Sequence, residues 1–119
     1  MHAWKVRRLL IAVCGALLAL PAAGAARSAA YSAKSRPVAR TVAIASFAFA
    51  PGNVTVSVGD TVVWRNDDIV PHTATASDSS WDSGIVQPKG TWRMVARARG
   101  EWKYICALHP SMRGTLVVR

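Results

Sequence analysis

The sequence predicts an all-β protein, a small β-sandwich of about seven short strands. Three observations carry that expectation. Apolar and polar residues alternate at period two, most strictly at Val54, Val56 and Val58. Turn pairs such as Gly59-Asp60 separate the alternating runs. After the N-terminal leader no stretch carries a helical period.

The leader stands apart from the fold. Lys5, Arg7 and Arg8 precede an almost purely apolar run over residues 9–20, Pro21 breaks it, and Ala23-Gly24-Ala25 follows. That order of charged, apolar and small residues is a secretory signal peptide, taken as residues 1–26. An uncleaved anchor is the alternative, but an apolar core this short, ending at a proline, favours cleavage. Export places the chain in a bacterial periplasm, with no membrane span left after cleavage. Residues 27–40 hold four bases and no acid among Ala, Ser and Pro, and read as a flexible basic tail. The folded domain is then residues 41–119.

The strands follow in order. Residues 41–47 form the first run. Residues 54–58 alternate with three valines on one face, and residues 61–65 put Val62 and Trp64 on another. Asn66-Asp67-Asp68 makes a polar loop. Residues 71–76 resume a strand, with Pro71 at its start, where a missing N–H does least harm. A polar loop around Trp81 leads to residues 91–98, where Trp92, Met94 and Ala96 share a face. Residues 101–106 and 114–119 complete the set. The four tryptophans beyond the leader (Trp64, Trp81, Trp92 and Trp102) supply bulk that a domain of this size needs.

The chemistry concentrates in Cys106-Ala107-Leu108-His109-Pro110-Ser111-Met112. With the leader removed, Cys106 is the one cysteine left, and His72 and His109 are the two histidines. An exported chain with one cysteine makes no internal disulfide, so the thiol is buried and inert, paired between chains, or put to chemical use. Spacing decides among these. A thiol, an imidazole and a thioether fall on one short loop, and His72 supplies a second imidazole. One thiolate, two imidazoles and a weak axial thioether form the blue-copper arrangement. The candidate metal ligands are therefore His72, Cys106, His109 and Met112, holding one type 1 copper per chain. Zinc is a conceivable occupant, but thiolate with thioether favours copper. Trp102, Tyr104 and Cys106 alternate onto one face, which two aromatics mark as the inner one, so the sulfur enters the sandwich at its end. Pro110 stiffens the bend beside His109.

The chain resembles the type 1 blue copper proteins of the plastocyanin/azurin (cupredoxin) family, and within them the amicyanin-like branch. The likeness spans about residues 41–119. It rests on Pro51-Gly52-Asn53-Val54-Thr55-Val56, on Gly59-Asp60-Thr61-Val62-Val63-Trp64-Arg65-Asn66, on Pro71-His72-Thr73, on Trp81-Asp82-Ser83-Gly84, and above all on the C-terminal run from Gly100 to Gly114. The resemblance implies a Greek-key sandwich with His72, Cys106 and His109 as strong ligands and Met112 as the axial one. Asn66 matches an asparagine that ties the two ligand loops together. Ala107 stands where a hydroxyl residue often follows the cysteine, and Trp102 where Tyr or Phe is common.

Four protein ligands leave no open position for a substrate, so the site points to electron transfer rather than to an enzyme. The resemblance implies redox protein partners that meet an apolar surface around Leu108, His109 and Pro110, with Met112 close by. The bases Arg93, Arg97, Arg99, Lys103 and Arg113 favour an acidic partner. A monomer is expected. The alternative is a periplasmic carrier or tolerance protein that hands on Cu(I) from the same ligands. Such carriers tend to cluster several Met or His, whereas only Met94 and Met112 follow the leader. A nucleic-acid binder would explain the net charge of +9 but not the leader. Two histidines cannot build a second copper centre, which excludes a piece of a multicopper oxidase.

Overall fold

Alternation along each strand sends one set of side chains inward, and two sheets close over them. The computed structural model describes residues 35–119. Its strands are β1 (Ala39–Ala45), β2 (Ala48–Ala50), β3 (Asn53–Val56), β4 (Thr61–Asn66), β5 (Thr75–Ala76), β6 (Thr91–Val95), β7 (Gly100–Ile105) and β8 (Arg113–Val118). One sheet has the order β2-β1-β4-β6 and the other β3-β8-β7-β5. β1 runs parallel to β4 and β3 parallel to β8, while the remaining pairs are antiparallel. From β2 onward, each connection except the last crosses from one sheet to the other. No described helix is long and apolar enough to cross a membrane. The expected signal peptide and residues 27–34 of the expected tail lie outside the described residues.

Several boundaries differ from the sequence reading, each for a local reason. β1 takes in Ala39 and Arg40, because parallel pairing with Thr61 and Val62 extends the strand into the end of the basic tail. The run over 41–47 breaks in two. Ser46 and Phe47 adopt positive φ angles of 49° and 57°, reversing the chain into β2 and lifting Phe47 out of the strand. The expected strand over 71–76 shrinks to Thr75–Ala76. Its earlier N–H groups have other acceptors: Thr73 donates to Cys106 Sγ at 3.3 Å and Ala74 to Ser83 Oγ at 2.8 Å. His72 keeps one isolated bridge, to Val86.

The core is aromatic at its centre. Trp64 is fully buried, with ring centroids of Trp92, Trp81 and Tyr104 at 5.1, 5.4 and 5.6 Å. Phe49 meets Tyr104 at 4.7 Å in an edge-to-face arrangement, which the ring quadrupoles favour. Val42, Ile44, Val62, Leu116 and Val118 fill the space between the sheets. Burial pushes the Tyr104 hydroxyl up to about 12.

Asp60 secures the turn between β3 and β4. Its carboxylate accepts N–H bonds from Val38 and Ser57, both at 2.9 Å. These bonds, Val38 first, hold its pKa below the usual carboxylate value. A depressed folded pKa contributes stability above the unfolded pKa and loses it as the pH falls through the folded value. Asp60→Asn is therefore expected to be less stable than the parent at neutral pH. The gap should narrow below about pH 4, where the parent carboxyl also protonates. Denaturant midpoints measured from pH 7 down to pH 3 check this.

Candidate metal centre

β7 delivers Cys106 to one end of the sandwich, and the chain then folds tightly back on itself. Backbone bonds close this loop at three points: His109 N–H to Cys106 C=O at 3.2 Å, Met112 N–H to His109 C=O at 2.9 Å, and Cys106 N–H to Met112 C=O at 3.2 Å. His72 arrives from the segment after β4, held by its bridge to Val86.

The three donors meet. Cys106 Sγ lies 3.6 Å from His72 Nδ1 and 3.6 Å from His109 Nδ1, and the two nitrogens are 3.2 Å apart. Ligand bonds of about 2.0–2.3 Å to an ion at the centre of a triangle space the donors by about 3.5–3.8 Å. The observed triangle matches that within a few tenths of an ångström. Two imidazoles and a soft thiolate, with a thioether on the same loop, suit copper. His72 and Cys106 are fully buried, whereas His109 is half-buried and keeps an edge toward the surface. Met112 is buried among the core side chains at 3 % exposure. It is therefore covered, and is not itself part of the surface patch near which the sequence places it with Leu108 and Pro110. Those two are exposed.

The residues that hold the ligands only partly match expectation. Asn66 does not join the two ligand loops. Its amide donates to Val70 C=O at 2.8 Å and Val86 C=O at 2.9 Å, and its Oδ1 accepts Asp68 N–H at 2.9 Å, so it braces the His72 segment against Val86 and not against the 106–112 loop. Thr73 makes the tie instead. Its N–H donates to Cys106 Sγ, and its hydroxyl accepts Ala107 N–H at 2.7 Å. The hydroxyl absent at Ala107 is thus supplied from the opposite loop.

Sequence reasoning also missed Phe47 and Asp68. Phe47 packs edge-on against both imidazoles, with centroids 5.5 Å from His72 and 5.0 Å from His109, while half of it stays exposed. Asp68 Oδ2 lies 3.0 Å from His72 Nε2 and also accepts Phe47 N–H at 3.0 Å. The Phe47 N–H and then the His72 ring hold its carboxyl below the usual range. The one available signal was that Asp68 stands four residues before His72.

A two-sheet sandwich with a buried trigonal His-Cys-His set at one end defines a class of mononuclear metal-binding β proteins. The chain belongs to the cupredoxin-like domain family, whose model matches residues 10–118. It is 29% identical over 115 residues to amicyanin-alpha of Methylorubrum extorquens, covering 91% of this chain and 97% of that protein. It is also 29% identical over 82 residues to amicyanin of Paracoccus denitrificans, covering 65% of this chain and 63% of that one. Among solved structures, the Cu(I) form of an amicyanin mutant superposes with a TM-score of 0.64 at 28% identity, covering 73% of this chain and 88% of that one. A purple cupredoxin from Nitrosopumilus maritimus gives a TM-score of 0.64 at 27% identity, over 66% of this chain and 98% of that one.

Proposed function

We propose that this chain is an exported one-electron carrier that works between redox proteins in the periplasm, with His72, Cys106, His109 and Met112 holding one copper ion. The observation that carries the reading is the donor triangle, whose three atoms stand 3.2–3.6 Å apart. Copper at this position supplies a Cu(II)/Cu(I) couple. The protein's part is to make the two states cost little to interconvert. Three backbone bonds hold the 106–112 loop, and Thr73 ties it to the His72 segment, so the ligands have little room to rearrange. Four donors leave no open position for a substrate, in keeping with a carrier rather than an enzyme.

The electron's exit is the half-buried edge of His109. Exposed Leu108 and Pro110 flank it, Phe47 stands over it, and Ile69 is exposed on the adjoining loop at 89 %. The expected experiment is a one-electron titration of the copper-loaded chain, followed by self-exchange measured from NMR line broadening. One electron per chain and rapid self-exchange support the carrier. A chain that holds only Cu(I) and releases it to a chelator would instead be a copper-transfer protein.

The partner surface is acidic. Arg93, Arg97, Arg99, Lys103 and Arg113 are all exposed, and Arg65–Asp67 is the one ion pair of an arginine or lysine among the described residues. Unpaired bases steer an oppositely charged partner, and salt screens that attraction over about 8–10 Å. The association rate with the native redox partner should fall several-fold between about 0.01 and 0.15 M salt. A rate indifferent to salt would remove steering from the account.

A further inference from the structure

We infer that Asp68 is the residue that orients His72 and sets its donor strength toward the metal, and so fixes part of the reduction potential. The inference rests on the copper site proposed above. Asp68 Oδ2 lies 3.0 Å from Nε2 of His72, on the opposite side of the ring from the donor triangle. A carboxylate there accepts the Nε2 proton, which leaves the Nδ1 lone pair free to face Cys106 Sγ and His109 Nδ1. A carboxylate behind a ligating imidazole fixes its tautomer and ring angle and raises its basicity.

Three features distinguish this contact from a surface ion pair. His72 has no exposed side-chain surface and Asp68 keeps only 11% of its own, so water competes weakly for the bond. The remaining partners of the carboxylate are backbone N–H groups, Phe47 to Oδ2 and Ile69 to Oδ1, each at 3.0 Å. No lysine or arginine pairs with it among the described residues, and Arg65, one turn of loop away, is taken by Asp67. A negative charge so placed favours the more highly charged Cu(II) over Cu(I) and therefore lowers the potential.

The same oxygen also joins two parts of the site. It binds Phe47 N–H in the reversed turn at positive φ, and the Phe47 ring lies against both imidazoles. Asp68 thus links the turn that covers the ligands to the far nitrogen of one of them.

The test compares the full-length chain with Asp68→Asn and Asp68→Ala. Asparagine keeps an oxygen able to accept the Phe47 and His72 bonds but removes the charge and turns an amide toward Ile69 N–H. Asp68→Asn should therefore fold, with a lower melting temperature than the parent when metal-free. Its preference for Cu(II) over Cu(I) should fall about tenfold, the lower end of the effect of removing such a partner. For a one-electron couple that is a rise of about 59 mV in potential. Asp68→Ala removes the acceptor as well. In the metal-free chain, nitrogen NMR should show His72 protonated at Nε2 in the parent and in a mixture of tautomers in Asp68→Ala. If Asp68→Ala does not fold, the asparagine variant decides alone. A potential in Asp68→Asn that implies less than a twofold change in preference would reduce Asp68 to a turn former and overturn the inference. A parent chain with no blue copper spectrum would instead break the proposed function, and the metal-free tautomer would still report whether Asp68 governs His72.

Discussion

Cys106→Ser is expected to abolish the intense visible absorption of the Cu(II)-loaded chain while leaving the fold in place. The band belongs to a thiolate, and a serine hydroxyl does not ionise to give an equivalent donor. Sγ is one corner of the triangle, 3.6 Å from each histidine Nδ1, so its removal leaves two imidazoles that bind copper more weakly and without the intense thiolate band. The strand itself should tolerate the exchange. Serine is nearly isosteric, and Thr73 N–H, which donates to Sγ at 3.3 Å, finds an oxygen in the same place. The band should fall more than tenfold, with a melting temperature for the metal-free protein within a few degrees of the parent. A parent protein that is colourless with Cu(II) would refute the type 1 site.

Gly114→Ala is expected to be the most damaging small substitution in the sandwich. Gly114 pairs with Tyr104 across β7 and β8, and both face inward. A Cβ at Gly114 would lie 2.5 Å from the Tyr104 hydroxyl oxygen and press on the ring itself. The ring has nowhere to go, because Phe49, Trp64 and Trp81 stand 4.7, 5.6 and 5.4 Å away. Overpacking a closed core costs roughly 1–3 kcal/mol, and a clash with a wedged aromatic falls at the upper end. A loss of about 3 kcal/mol lowers the melting temperature of a domain this size by about 15 °C. Thermal melts of the metal-free pair measure it. An unchanged melting temperature would mean that the core yields far more readily than its packing indicates.

The strand faces and the three donors that the fold gathers could be read from the chain alone, whereas the contacts around those donors could not. Val54 and Val56, or Trp92, Met94 and Ala96, show their face by simple alternation, because a strand's period of two is written directly into residue order. His72, Cys106 and His109 stood out because few donors of their kind follow the leader, and the fold brings them within 4.8 Å of one another. The reversal at Ser46-Phe47 left no such trace. Neither residue is a usual host for positive φ, and the turn is held by a carboxylate 21 positions away. Thr73, to which the sequence assigned no role, makes the tie expected of Asn66 for a similar reason. Side-chain to backbone bonds between loops obey no period, so their pairing emerges only once the sheets have set the loops side by side.

The parallel pairing of β3 with β8 has a consequence for when the protein can exist at all. Residues 53–56 must wait for residues 115–118, and β8 lies in the interior of its sheet between β3 and β7. As a nascent chain lengthens, the early strands have no partner on that side until almost the whole domain has emerged. Contacts so distant in sequence make folding slow and late. The ligand loop sits immediately before β8, so its closure coincides with the arrival of the strand that completes the sheet. The donor triangle therefore closes only after the entire domain has been synthesised.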